Sequence, residues 1–314
     1  MSLLTYFSGN TPERISSLCS DSTALRAAAE AENTRFIALW RSQCMVEKGR
    51  AVLLKRAQLG PAGAFERLVY LGLHKNQHLF AVELLDDLTE TDLKANHFEN
   101  ARSLLGGLNN DDAGLLACAK GVLEWRTRHK HCGVCGARNL AHEGGYVLTC
   151  SNTNCGTKSF PRVDPAIIVL VTRGEQCLLG HQNGWPEQRY STIAGFAEPG
   201  ESLEDTVRRE VREETNIRVG RTHYKGSQPW PFPTALMIGF HAEALSSKIR
   251  LNDAELADAQ WFSRATLMEG AIVLPPRASI AFQLIEAWFD KHDGPPLAQF
   301  NLSGTFSRSA GSHD

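Results

Sequence analysis

The sequence predicts an α+β chain in which a β-rich N-terminal part precedes a domain of alternating strands and helices. Three observations predict it. Short apolar runs punctuate the first hundred residues, an amphipathic stretch follows, and strand and helix signals then alternate to about residue 290. The 314 residues, 42% of them hydrophobic, are enough for about two domains with cores of their own.

The N-terminal runs are Phe36–Trp40, Ala51–Leu54, Leu68–Leu71 and Leu79–Leu84, separated by Gly, Lys and Asn, which predicts a small meander of strands. From Asp111 to His129, Leu115, Leu116, Ala119, Val122 and Leu123 recur at helical spacing, with Asp111 or Asp112 as the cap. Ala166–Val171 is β-branched and wholly apolar, the pattern of a strand covered on both faces. It is far short of a membrane span. From Gly294 onward, Pro, Ser and Gly dominate and too little is apolar to fold. The expected divisions are an N-terminal α+β domain over 1–128, a Cys-rich segment over 129–158, a larger domain over 159–292 and an unstructured tail over 293–314.

The net charge of −2 gives no long-range basic surface for duplex nucleic acid. The opening residues lack the cationic segment of a signal peptide, so a soluble intracellular protein, without a membrane partner, is expected. Of eight cysteines, Cys19, Cys44, Cys118 and Cys177 are scattered singly. The other four form Cys132-x2-Cys135 and Cys150-x4-Cys155 among glycine-rich turns. Two close pairs on two tight turns can give four thiolates to one tetrahedral Zn²⁺. Four protein ligands leave no open position, so this ion would be structural. Disulfides fit poorly without a secretory signal, and free thiols fit this spacing poorly. The x4 gap leaves room for His131 or His142 to replace one cysteine.

The stretch from Gly195 to Ile217 carries an anomaly. Ser202 or Glu201 opens a helix, and Leu203, Val207 and Val211 form its apolar stripe. At roughly 100° per residue, Glu210 and Glu214 overlap the buried side of that helix, one turn apart. Like charges at this spacing repel, and burying them is costly unless a cation compensates. Glu213 stands beside Glu210 and completes a carboxylate cluster. All-oxygen ligands select hard ions, Mg²⁺ or Mn²⁺, which also bind phosphates. On the outer face, Glu204 with Arg208 and Asp205 with Arg209 read as ordinary i, i+4 pairs.

Gly195-x5-Glu201-x7-Arg209-Glu210-Val211-x-Glu213-Glu214 resembles the Nudix box, whose hydrolases cleave nucleoside diphosphates linked to another moiety. The closing Gly of that box is Asn216 here, a residue that tolerates a left-handed helix end. Downstream, Ser227-Gln228-Pro229-Trp230-Pro231-Phe232-Pro233-Thr234 alternates prolines with aromatics, which predicts a stiff, extended loop presenting Trp230 and Phe232. It resembles the signature of NADH pyrophosphatases within the Nudix superfamily, with Ala235 in place of the signature's last Ser.

The resemblance runs from about residue 131 to 290 and implies a Cys₄ zinc ribbon followed by a Nudix α/β/α sandwich around a mixed sheet. It implies a homodimer in which Phe160 and Phe196 stack on the substrate base from different subunits. It implies metal ligation by Glu210, Glu214, Glu255 and the backbone carbonyl of Ala194, and a backbone contact to substrate at Ala281. Glu213 would bind a further ion or take a proton from water. The implied reaction is attack by a metal-activated water on the diphosphate of NADH, NAD⁺ or a related dinucleotide, giving AMP and, from NADH, reduced nicotinamide mononucleotide. Relatives also remove NAD caps from RNA 5′ ends. A silent zinc-ribbon module that only senses dinucleotides would be expected to carry a broken acidic cluster, and here the cluster is intact.

Overall fold

The computed structural model describes residues 5–9, 11–84, 98–252, 255–300 and 302–304. The chain forms two compact units, one of Phe7–Val163 with Trp230–Thr234, the other of Asp164–Pro229 with Ala235 onward and the N-terminal residues through Tyr6.

In the first unit, helices α1 (Ser16–Ser20) and α2 (Ser22–Glu30) precede strands β1 (Arg35–Trp40), β2 (Gln43–Glu47), β3 (Arg50–Ala51), β4 (Leu53–Leu54), β5 (Val69–His74), β6 (Gln77–Glu83) and β7 (Phe98–Glu99). These make one sheet in the order β3-β2-β1-β6-β5, with β4 also on β1 and β7 on β2. It is not the simple meander expected, because β1 and β6 run parallel. The apolar side chains of Phe36, Ala38, Tyr70, Phe80 and Val82 close a core with Leu25 and Ala29 of α2. Helix α3 (Asn110–Arg128) follows, and its cap is Asn109, whose side chain accepts from the Asp112 N–H at 2.9 Å. The expected caps, Asp111 and Asp112, are instead in the first turn, where their charge suits the helix dipole. Strands β8 (Asn139–His142), β9 (Val147–Cys150) and β10 (Lys158–Ser159) make a small antiparallel sheet, in the order β10-β9-β8.

The second unit holds β11 (Asp164–Arg173), β12 (Gln176–Gln182), β13 (Ile193–Phe196), α4 (Leu203–Thr215), β14 (Val219–Trp230), β15 (Ala235–Ala244), β16 (Leu256–Ser263), α5 (Arg264–Met268) and α6 (Ile280–Phe289). The sheet runs β14-β15-β11-β12-β16, with β13 on β11. It is mixed, since β11 and β15 are parallel while β12 and β13 pair antiparallel with β11. Strand β11 explains the unbroken apolar run. Ile167, Val169 and Val171 face a core that includes Val207 and Val211 of α4. Ile168 and Leu170 face the opposite core, with Phe282 and Ile285 of α6. Helices on both faces make an α/β/α sandwich.

The tail departs from expectation. Leu297 and Leu302 are buried in the α6-side core, and the Gly304 N–H donates to the Leu274 carbonyl at 2.8 Å. A few well-spaced leucines docking onto an existing core overcome a composition too polar to fold alone. Residues 305–314 of the expected tail lie outside the described residues. No helix among the described residues is long and apolar enough to cross a membrane.

Candidate active site

Helix α4 is built for its place. Ser202 caps it, its side chain accepting from the Asp205 N–H at 3.1 Å. Asn216 ends it in the left-handed region, φ +60°, with its N–H on the Arg212 carbonyl. Val207 and Val211 are fully buried, and so this helix cannot turn Glu210 and Glu214 away from the sheet. Glu214 is buried, the Glu210 side chain is 13% exposed, and that of Glu213 is 55% exposed.

Strand β13 supplies the floor. A Cβ on Gly195 would lie 1.9 Å from the Glu210 carboxyl carbon, so only glycine leaves room for that side chain. Ala194 is its neighbour on the same strand.

Arg209 is the hub, and its place was not legible in the sequence. Its Nε donates to Glu201 at 2.6 Å, Nη1 to Glu210 at 2.9 Å and Glu213 at 3.0 Å, and Nη2 to Glu201 at 2.9 Å and the Phe196 carbonyl at 2.8 Å. The expected outer-face pair of Asp205 with Arg209 is therefore absent, and Arg208 pairs with Asp205 at 2.9 Å rather than with Glu204. The reason is reach: a guanidinium with five donors satisfies three carboxylates at once, which one surface aspartate cannot match. The signal was the Arg immediately preceding Glu210, inside a cluster that needed a cation.

The Arg209 guanidinium, with the Glu198 N–H, holds the Glu201 carboxyl down to about 2. Burial pushes Glu210 up, against the pull of Arg209, and the charges of Glu213 and Glu255 push the same way. Glu255, which sequence pattern alone places on the surface, is thus within electrostatic reach of Glu210. It stands just before β16, its backbone carbonyl accepting from the Asn183 N–H at 3.3 Å. The glutamate side chains do not close around a point: among the described residues, the cysteine cluster is the one group of three or more potential ligands lying within 4.8 Å of one another. Yet the donor set fits a hard divalent cation. It is all oxygen, and burial raises Glu210 above its ordinary value even with Arg209 beside it, a shift that further positive charge would oppose.

Cys132, Cys135, Cys150 and Cys155 converge and could hold a metal ion, with neither His131 nor His142 among them. Cys132 and Cys155 have Sγ atoms 3.8 Å apart, and Cys135 and Cys150 3.3 Å apart. The N–H groups of Val134 and Cys135 lower the Cys132 thiol, and a hydrogen bond from Thr157 brings Cys155 down to about 6. Burial acts the other way at Cys150, pushing it up to about 12.

The proline-rich stretch is extended, as expected, but only part of it is a loop. Ser227 to Trp230 complete β14, an edge strand, where Pro229 removes no needed donor. The turn beyond it, containing a cis Phe232–Pro233 peptide, leads to β15. Phe232 is packed, its ring centroid 5.1 Å from that of Trp230 and 5.9 Å from that of Phe7, with Arg102 over its face at 5.2 Å. Pro231 is buried, Thr234 half-buried and Pro233 exposed. Gln228 is fully buried, donating to the carbonyls of Tyr6 at 3.1 Å and Ala278 at 2.9 Å and accepting from the Ile280 N–H at 2.9 Å. Its side chain is occupied in holding β14 to the start of α6, which leaves only its backbone for a substrate contact. Ala281 lies in the first turn of α6, where backbone N–H groups lack intrahelical acceptors. Phe160 and Phe196 are both exposed, at 62% and 58%, as rings available for stacking must be. Ala235 is buried at the start of β15.

Comparison with known proteins places these features. Residues 162–286 match the NUDIX domain, and residues 33–125 match the NADH pyrophosphatase-like rudimentary NUDIX domain. The NAD-capped RNA hydrolase NUDT12 of Homo sapiens is 41% identical over 196 residues, covering 58% of this chain and 42% of that protein. The NAD-capped RNA hydrolase NudC of Pseudomonas syringae pv. syringae is 41% identical over 182 residues, 58% of this chain and 63% of that protein. NudC of Stutzerimonas stutzeri is 38% identical over 205 residues, 65% of this chain and 72% of that protein. The chain thus spans less than two thirds of the length of the first two. With an intact box on α4 and β13 and this degree of likeness to a NudC covered over most of its length, the chain belongs to the Nudix hydrolases, among their NADH pyrophosphatase-like members.

Proposed function

We propose that this chain hydrolyses the diphosphate bridge of NADH, and of NAD⁺ and related dinucleotides, to AMP and the nicotinamide mononucleotide. The observation that carries the reading is Glu210 lying against a floor where only Gly195 fits, with the charges of Glu213 and Glu255 in its reach and Glu214 buried one turn further along α4. Glu210, Glu214, Glu255 and the Ala194 carbonyl would hold Mg²⁺ or Mn²⁺. Such an ion, when bound, neutralises diphosphate charge and lowers the pKa of an attacking water.

The chain's own groups do the rest. Arg209 keeps Glu201 ionised and aims the Glu210 and Glu213 carboxylates from a fixed fork. Glu213, more exposed than Glu210 or Glu214, takes the proton of the attacking water at a carboxylate oxygen or adds a ligand. Phe160 and Phe196 stack on the base, from two subunits of a homodimer. Ser227–Thr234 and the Ala281 backbone complete the substrate site. The cysteine cluster holds one structural Zn²⁺: a tetrahedron with Zn–S of about 2.3 Å has edges of roughly 3.8 Å, close to the spacing of Cys132 and Cys155. Eight cysteines with no disulfide among them suit a reducing, cytoplasmic setting.

Removal of NAD caps from RNA 5′ ends is the second reading, favoured by the names of the relatives and by the same bond being cut. Incubation of the purified chain with NADH and Mn²⁺ tests the first reading, mass analysis being expected to find AMP and reduced nicotinamide mononucleotide. NAD-capped RNA in the same assay tests the second. Saturable NADH binding without products would make the chain a non-catalytic dinucleotide sensor instead.

A further inference from the structure

A cleft of about 520 Å³ in the first unit lies outside the candidate active site, lined by residues of α3, β6, β8 and β9 and of the segments before β5 and β8. Its volume is in the range of small-molecule sites. Four cations line it, Arg67, Arg126, Lys130 and Arg138, in a chain whose net charge is −2. None of the four forms an ion pair among the described residues. The two carboxylates of the lining are engaged elsewhere. Glu66 faces Arg26 at 3.5 Å, and Glu83 accepts from the Ser42 N–H at 3.4 Å.

The inner pair of cations is held under repulsion. Arg126 is fixed by three backbone carbonyls, Nη1 donating to Arg67 at 3.3 Å and Leu68 at 2.9 Å, and Nη2 to Glu66 at 2.9 Å. Burial and the neighbouring Arg67 charge both lower its pKa. Arg67 donates Nη2 to the Glu83 carbonyl at 3.0 Å, while its Nε is buried without a hydrogen bond. Arginine cannot relieve such repulsion by losing its proton. Carbonyl dipoles orient these groups but supply no counter-charge, so an anion is what the cleft lacks. Lys130 and Arg138, both exposed, extend the positive charge to the rim.

We propose that this cleft binds a phosphoryl anion, with Arg67 and Arg126 inside and Lys130 and Arg138 at the mouth. Paired guanidinium and ammonium donors suit phosphate oxygens, which accept several charge-assisted hydrogen bonds at once. A free nucleotide and the backbone of an RNA strand offer the same chemistry. The proposal does not depend on hydrolysis, because it concerns binding alone.

The test is equilibrium binding of AMP and of an uncapped single-stranded RNA ten-mer, without added Mg²⁺ or Mn²⁺. It compares the wild type with the double variant Lys130→Gln/Arg138→Gln and the charge-preserving Lys130→Arg/Arg138→Lys. The expected result is at least a tenfold loss of affinity for one probe in the Gln variant and its recovery in the charge-preserving one. Saturable AMP binding that weakens in the Gln variant assigns a free nucleotide as the source, since AMP held only by the dinucleotide site would be unaltered by that variant. RNA binding alone assigns a strand, and its log–log salt slope should then flatten by about 1.4, for two lost single-strand phosphate contacts. Unchanged thermal midpoint and metal content keep both variants interpretable. Absence of binding by either probe, or affinity that both variants leave unaltered, overturns the proposal.

Discussion

Gly195 and Glu210 are packed so closely that a methyl group at 195 would overlap the Glu210 carboxyl, at 1.9 Å from its carbon and 2.0 Å from one oxygen. The carboxylate is the far end of a flexible side chain and the part that turns aside. Gly195→Ala is therefore expected to lower kcat for NADH at least tenfold, about 1.4 kcal/mol in the barrier, with little change in thermal midpoint. Steady-state kinetics beside a melting curve check both halves, and full activity would show that Glu210 works from another position.

Glu214→Gln removes a buried charge while preserving shape. Turnover should fall below about a tenth of wild type, with dinucleotide binding largely retained. Retention of more than a tenth of kcat means that Glu214 is not a core metal ligand.

The Glu201–Arg209 pair sets an acid limit. The folded Glu201 pKa is about 2 against an ordinary value of 4.5, so the folded state binds the proton more weakly than the unfolded one. Its contribution to stability is present above about 4.5 and is lost as pH falls toward about 2. The difference in melting temperature between wild type and Glu201→Gln should shrink over that window. A difference that is constant from pH 6 to pH 2.5 would contradict the assigned pairing.

Protein purified without added metal should carry about one zinc per chain. Cys135→Ser should lose it and melt earlier, since a closed tetrahedral site contributes folding energy. Atomic emission analysis decides, and a full zinc complement in the variant removes Cys135 from the site.

Phe160 is exposed and makes a clean truncation. Base–aromatic stacking is worth about 1–3 kcal/mol, so Phe160→Ala should raise KM for NADH roughly ten- to a hundred-fold and change kcat less. If Phe196 comes from a second subunit, dilution that splits the dimer should depress activity in parallel. A fully active monomer would end the shared-site idea and leave the metal chemistry untouched.

The sequence by itself determined the elements whose chemistry is local or periodic. The apolar stripe of α4 put Glu210 and Glu214 on the covered side, since side-chain direction on a helix follows from spacing alone. The run Ala166–Val171 demanded cover on both faces and received it from α4 and α6. Two Cys pairs on tight turns were enough to place four thiols together. Tertiary structure decided what depends on partners distant in the chain. Arg209 has the same local pattern as a surface arginine, and only the approach of Glu201 and the Phe196 carbonyl turns it inward. Gln228 became a clamp because Tyr6, Ala278 and Ile280 surround it. The leucines of the tail fold because a core already built by α6 receives them. Short-range periodicity fixes direction, but the identity of a buried polar group's partner is settled by packing, and no local window contains it.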